Sequence, residues 1–238
     1  MGKDTNAVPS IDQIPDLPSL KAGVTLLESS SRGAFHALAV DHLLLERPGT
    51  AWWIDTYGHA QTEPLADVAP SRRVLKKVQI ARAFTAYQHY TLCSRLLEDP
   101  DYGTLATVDR DDVGLIVVPA VDGFYRDDDL DEDESERMVV SALARLAAAV
   151  RRYECPVLVS KARDDEFSEP VDRLVDERIE CLETDEGARF IGAEFESLVY
   201  PVGNGMLQTT LTFWKQILEA REPAYPTPIT AGSIQEVA

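Results

Sequence analysis

The chain has 238 residues, enough for one α/β domain with a sizeable core. An apolar share of 45% excludes wholesale disorder, and no run approaches the roughly 18–20 apolar residues of a membrane-spanning helix. Acidic residues outnumber basic ones 41 to 23, for a net charge of −18, so the overall field repels polyanions. The polar, proline-containing N-terminus does not read as a signal peptide, and a cytoplasmic location is expected. Cys93, Cys155 and Cys181 are odd in number and form no CxxC, which points to neither a zinc ribbon nor a disulfide framework.

Residues 1–20, with Pro9, Pro15 and Pro18, read as a flexible lead-in, 21–219 as one core domain and 220–238 as a flexible tail. Gly23 to Glu28 is the first predicted strand, followed by the short polar stretch 29–33. Ala34 to Glu46 has a helical apolar face through Phe35, Leu38, Ala39, His42 and Leu45, stopped by Pro48 and Gly49. Ala51 to Asp55 is a compact strand in which Trp52 and Trp53 must face opposite sides. A short helix over Thr62 to Val68, a strand over Val78 to Ala83 and a helix over Tyr87 to Glu98 follow. Val113 to Val118 is continuously apolar, as in a central parallel strand buried on both faces. The acidic stretch Asp127 to Glu136 reads as a solvated loop before a long helix, Met138 to Tyr153. Cys155 to Ser160 is another buried strand. Arg178 to Thr184, Ala188 to Phe195 and Leu207 to Phe213 read as antiparallel strands joined by turns. The order predicts an α/β fold: a mainly parallel sheet flanked by helices, with antiparallel hairpin strands at its C-terminal edge.

Several stretches in that order resemble the RecA/RadA recombinase core over roughly residues 20–215. Residues 51–58, AWWIDTYG, are similar to the family's (V/A)xYIDTEG strand end, and 78–84, VQIARAF, to its IxVARAY segment. Residues 115–126, LIVVPAVDGFYR, resemble LIVVDSLTxxFR, and the helix leading into 155–160 resembles the unit ending in VAVVVTNQ. The resemblance implies a RecA-like fold of the P-loop NTPase class and, given the acidity spread along the chain, a RadA or RadB paralog from a salt-loving archaeon.

The departures lie at the positions that carry ATP chemistry. The family's GxxxxGK(S/T) loop wraps phosphates with backbone N–H groups, holds them with Lys and binds Mg²⁺ through the hydroxyl. Here the matching stretch runs from Ser29 through Arg32 to His36, placing Phe35 at the Lys position and His36 at the Ser/Thr position. Pro119 stands where the Walker-B carboxylate is expected, and Tyr57 where a glutamate activates water. The resemblance therefore implies a pseudo-ATPase with no catalytic residues, no cofactor and no metal. The DNA-contacting loops are altered too: 126–136 is almost wholly acidic and 161–169 is short. Direct DNA binding is not expected, since phosphate contacts drive DNA affinity, and no helix-hairpin-helix unit is expected ahead of the core.

Asp55, His59 and Asp122 belong at the carboxyl edge of such a sheet, where ligands bind. With His36 they could form a residual polar or metal site; the simpler reading makes the aspartates loop caps, since no histidine pair has ligand spacing. Arg32 with Ser29, Ser30 and Ser31 could still hold a small anion at a helix N-terminus, against an ordinary strand–helix turn. The acidic run could dock a basic partner or a cation, against a solvated loop. The expected role is that of a non-catalytic accessory in recombination or repair, binding a RadA-like recombinase or a single-strand-binding protein. The alternative is a regulatory or structural RecA-fold protein, KaiC-like or borne by a mobile element, with no link to DNA.

Overall fold

The structure is a computed structural model that describes residues 17–29, 32–45, 49–98, 112–184, 187–193 and 196–197. Its strands are β1 (Gly23–Ser29), β2 (Thr50–Asp55), β3 (Val78–Arg82), β4 (Val113–Val118), β5 (Pro156–Val159), β6 (Glu177–Thr184), β7 (Gly187–Gly192) and β8 (Glu196–Ser197). The helices are α1 (Arg32–Leu45), α2 (Thr62–Val68), α3 (Arg72–Leu75), α4 (Ala86–Arg95), α5 (Glu132–Tyr153) and α6 (Glu169–Leu174). The described strands form one sheet in the order β3-β2-β4-β5-β1-β6-β7-β8. The first six in that order run parallel, and β7 and β8 complete the edge in antiparallel fashion. This is the α/β architecture that the order of elements predicts.

Right-handed crossovers decide which face each helix covers. From β1 to β2 and from β2 to β3 the chain moves toward the β3 edge; from β3 onward it moves the other way. Helices α1, α2 and α3 therefore cover one face, and α4, α5 and α6 the other. Two cores follow. Ala34, Leu38, Leu43, Leu65 and Val74 pack on Trp53, Leu115, Val117 and Leu158. Cys93, Leu143, Leu146 and Val171 pack on Trp52, Ile54, Ile116 and Val157. Strand alternation sends Trp53 into the first core and Trp52 into the second, where it meets Tyr153 edge-on at 5.3 Å. Both tryptophans are core residues. Leu17 and Leu20, within the predicted lead-in, also join the first core at 4% exposure each.

Every residue of β4 is buried. Its Gly114 sits at a register irregularity against β2 and lies so close to Gly49 that a Cβ on Gly49 would come within 2.7 Å of the Gly114 nitrogen. The Gly114 carbonyl accepts a bond from His42 Nε2 at 3.0 Å, which explains why α1 carries an imidazole on its buried face.

Two sequence expectations are corrected. The run 127–136 is not one loop, because α5 begins at Glu132. Asp131 caps it by accepting the Glu134 N–H at 2.7 Å, and Glu132, Asp133 and Glu134 face the positive end of the helix dipole. Short helices α3 and α6 also occupy stretches to which no element was assigned, α6 opening with a proline in its first turn. The strand expected over 207–213 and the tail 220–238 lie outside the described residues.

Candidate functional site at the carboxyl edge

Where neighbouring strands send their connections to opposite faces, a crevice opens at the carboxyl end of the sheet. The order places such points between β3 and β2, between β2 and β4, and between β1 and β5. All the positions singled out in the sequence fall on the connections leaving β1, β2 and β4.

At β1, Ser29 ends the strand and hydrogen-bonds Cys181, whose thiol burial pushes up to about 11. Arg32 already opens α1, leaving two positions between strand and helix. Its side chain lies outside the described residues. Phe35 is 7% exposed and packs on Trp53 with ring centroids 5.8 Å apart. His36 is buried, stacks on Trp53 at 5.3 Å and donates from Nε2 to the His59 carbonyl at 2.9 Å. Phe35 and His36 thus serve the core under α1 and the loop after β2.

At β2, Asp55 is buried and fully engaged: Oδ1 accepts the Ala60 N–H at 2.8 Å and Oδ2 accepts Arg82 Nε at 3.1 Å. Arg82 also reaches the Ala60 carbonyl at 3.2 Å, so the two residues cinch the loop 56–60. His59 is half-buried within that loop. Thr56 is fully buried, and its Oγ1 has no hydrogen-bond partner among the described residues. Tyr57 holds a left-handed backbone (φ 54°) that a bulky residue rarely adopts. Its ring lies 4.5 Å from that of Phe124, over Gly123, where a Cβ would come within 2.6 Å of the tyrosine ring.

At β4, buried Pro119 leads into Ala120, also left-handed at φ 45°. Ala120 and Val121 donate to the Ser160 hydroxyl and carbonyl, both at 2.9 Å. Asp122 is fully buried: Oδ1 accepts the Ala162 N–H at 2.6 Å, and Oδ2 accepts Arg126 through Nε at 2.8 Å and a terminal nitrogen at 2.5 Å. The same guanidinium grips both oxygens of Asp165 at 2.7 Å, lies over Phe167 at 4.7 Å and touches Ser168. Its hydrogen bonds hold the Asp165 carboxyl down to about 2. A second ionic cluster joins Lys161 to Asp164, Asp172 and Glu28, with Arg178 on Asp172 and Glu28.

The fold brings Asp55, His59 and Asp122 to one edge, yet both oxygens of each aspartate are engaged, those of Asp55 by Ala60 and Arg82 and those of Asp122 by Ala162 and Arg126. They act as loop ties. Among the described residues no group of three or more His, Cys, Asp or Glu side chains is placed to hold a metal ion, and no helix is long and apolar enough to cross a membrane. The sequence reading missed the cluster built on Arg126. The i,i+4 spacing of Asp122 and Arg126 was a visible signal for half of it; Asp165, far along the chain, offered none.

No protein-family model matches the chain, and no curated protein matches it significantly. What the geometry establishes is an α/β fold of the nucleotide-binding kind whose carboxyl-edge carboxylates Asp55, Asp122 and Asp165 are bound by Arg82 and Arg126.

Proposed function

We propose that the chain is a non-catalytic RecA/RadA-like protein that binds other proteins in DNA recombination or repair and hydrolyses no ATP. The observation that carries the loss of ATP chemistry is the burial of Phe35 against Trp53 at the position where the resemblance requires a phosphate-binding lysine. A ring in the core neutralises no triphosphate. Tyr57 over Gly123, and Pro119 at the end of β4, fill the other two positions with groups that neither activate water nor bind Mg²⁺.

A surface for a protein partner is offered by β3, which pairs only with β2 among the described strands. Bonds from Ala51 to the Lys77 carbonyl and from Ala83 to the Asp55 carbonyl turn the odd-numbered backbone groups inward, so Val78, Ile80 and Arg82 face outward. An open edge of this kind accepts a strand from another chain, here proposed to come from a RadA-like core or a single-strand-binding protein.

The test is thermal unfolding with millimolar Mg-ATP, alongside phosphate release with and without single-stranded DNA. No shift and no release are expected; DNA-stimulated hydrolysis would overturn the reading. Sedimentation with a purified RadA-like recombinase or single-strand-binding protein should show a complex. Ile80→Pro, which removes one outward N–H and leaves the sheet paired, should weaken it about tenfold.

A further inference from the structure

Three exposed aromatic residues follow the ends of the paired strands β2 and β3: Tyr57 at 55%, Phe84 at 72% and Tyr87 at 56% exposure. Each is held at its base. Tyr57 rests one face on Phe124. The Phe84 N–H donates to Gln88 Oε1 at 2.8 Å, just before Thr85 caps α4. Tyr87, in the first turn of α4, donates its hydroxyl to Glu134 at 2.7 Å.

Carboxylates border the rings. Burial of its inner side, then Asp127 and Asp122, hold the Tyr57 phenol above its usual pKa; the bond to Glu134 does so first for Tyr87, and Asp131 adds to it. Asp127, Asp128, Asp129, Asp131 and Glu132 are all exposed along the same connection into α5. Capping and the helix dipole account for Asp131 and Glu132; they account neither for the three aspartates before them nor for the rings.

We propose that this rim docks an arginine-rich segment of a protein partner. A guanidinium stacks on an aromatic face and pairs two-pronged with a carboxylate, so rings and acids side by side match it on both counts. A nucleic acid would find bases to stack there but carboxylates at its phosphates. The proposal rests on this surface and not on the ATP-less reading, and it names the chemistry of a partner whichever pathway the chain serves.

The test titrates the full chain into a short labelled peptide of alternating arginine and serine at low salt, read by fluorescence anisotropy, with a labelled oligothymidylate beside it. Tyr57→Ser and Phe84→Ser should each weaken peptide binding about three- to fivefold, and Asp127→Asn with Asp131→Asn about tenfold. Asn keeps the α5 cap, and melting temperatures confirm folding of every variant. Asp67→Asn with Glu180→Gln, two exposed carboxylates elsewhere, should change binding less than twofold. An equal loss in that control pair would assign the binding to the general negative field. Absence of peptide binding, indifference to the ring substitutions, or tighter binding of the oligothymidylate would each overturn the proposal.

Discussion

His89 should make the fold sensitive to mild acid. It lies in α4 at 1% exposure, with Nδ1 bonded to the Tyr125 hydroxyl at 2.7 Å and Cys93 Sγ at 3.9 Å. Its Nε2 is buried with no hydrogen-bond partner among the described residues. Burial pushes its pKa down to about 4 from the free value of 6.5. Between those values the unfolded chain binds a proton that the folded chain refuses, so stability rises with pH across the window. The contribution is whole above pH 6.5 and lost as pH falls to 4; the interval corresponds to about 3 kcal/mol. His89→Phe removes the titration but leaves the Tyr125 hydroxyl buried without its partner, at a cost of about 1–3 kcal/mol. Urea unfolding of both proteins at pH 7.5 and 4.5 separates the two effects, because acid sensitivity from carboxylates is common to both. The variant should be the less stable at pH 7.5, and the gap should close or reverse at pH 4.5. A gap of constant size at both pH values would refute the reasoning.

Asp122→Ala should destabilise by about 3–5 kcal/mol in chemical denaturation, because it strips a buried acceptor from Arg126 and leaves the Ala162 N–H unmet; Arg82→Ala, which leaves the buried Asp55 carboxylate with the Ala60 N–H alone, should cost about 1–3 kcal/mol. Gly49→Ala drives a methyl into the Gly114 backbone, which cannot swing aside as a side chain would. A loss of about 1–3 kcal/mol is expected, measured as a lowered urea midpoint with unchanged slope.

The layering and the strand types were legible in the sequence because periodicity and burial share a cause. The unbroken apolar run 113–118 can only be a strand covered on both faces, and the adjacent tryptophans had to part. The start of α5 was misread because carboxylates that complement a helix dipole look, as composition, like a solvated loop. The sequence by itself also determined which chemical groups stand at the ends of β1, β2 and β4, and so that Phe35, Tyr57 and Pro119 occupy the expected nucleotide positions. Only the tertiary structure decided what those groups touch. Phe35 lies on Trp53, Tyr57 on Phe124 and Arg126 on Asp165, contacts made between residues 18 to 67 positions apart. Which carboxylates become buried ties and which stay exposed beside the aromatic rings depends on strand order and crossover hand. Those are properties of how the elements pack, and no local stretch of sequence encodes them.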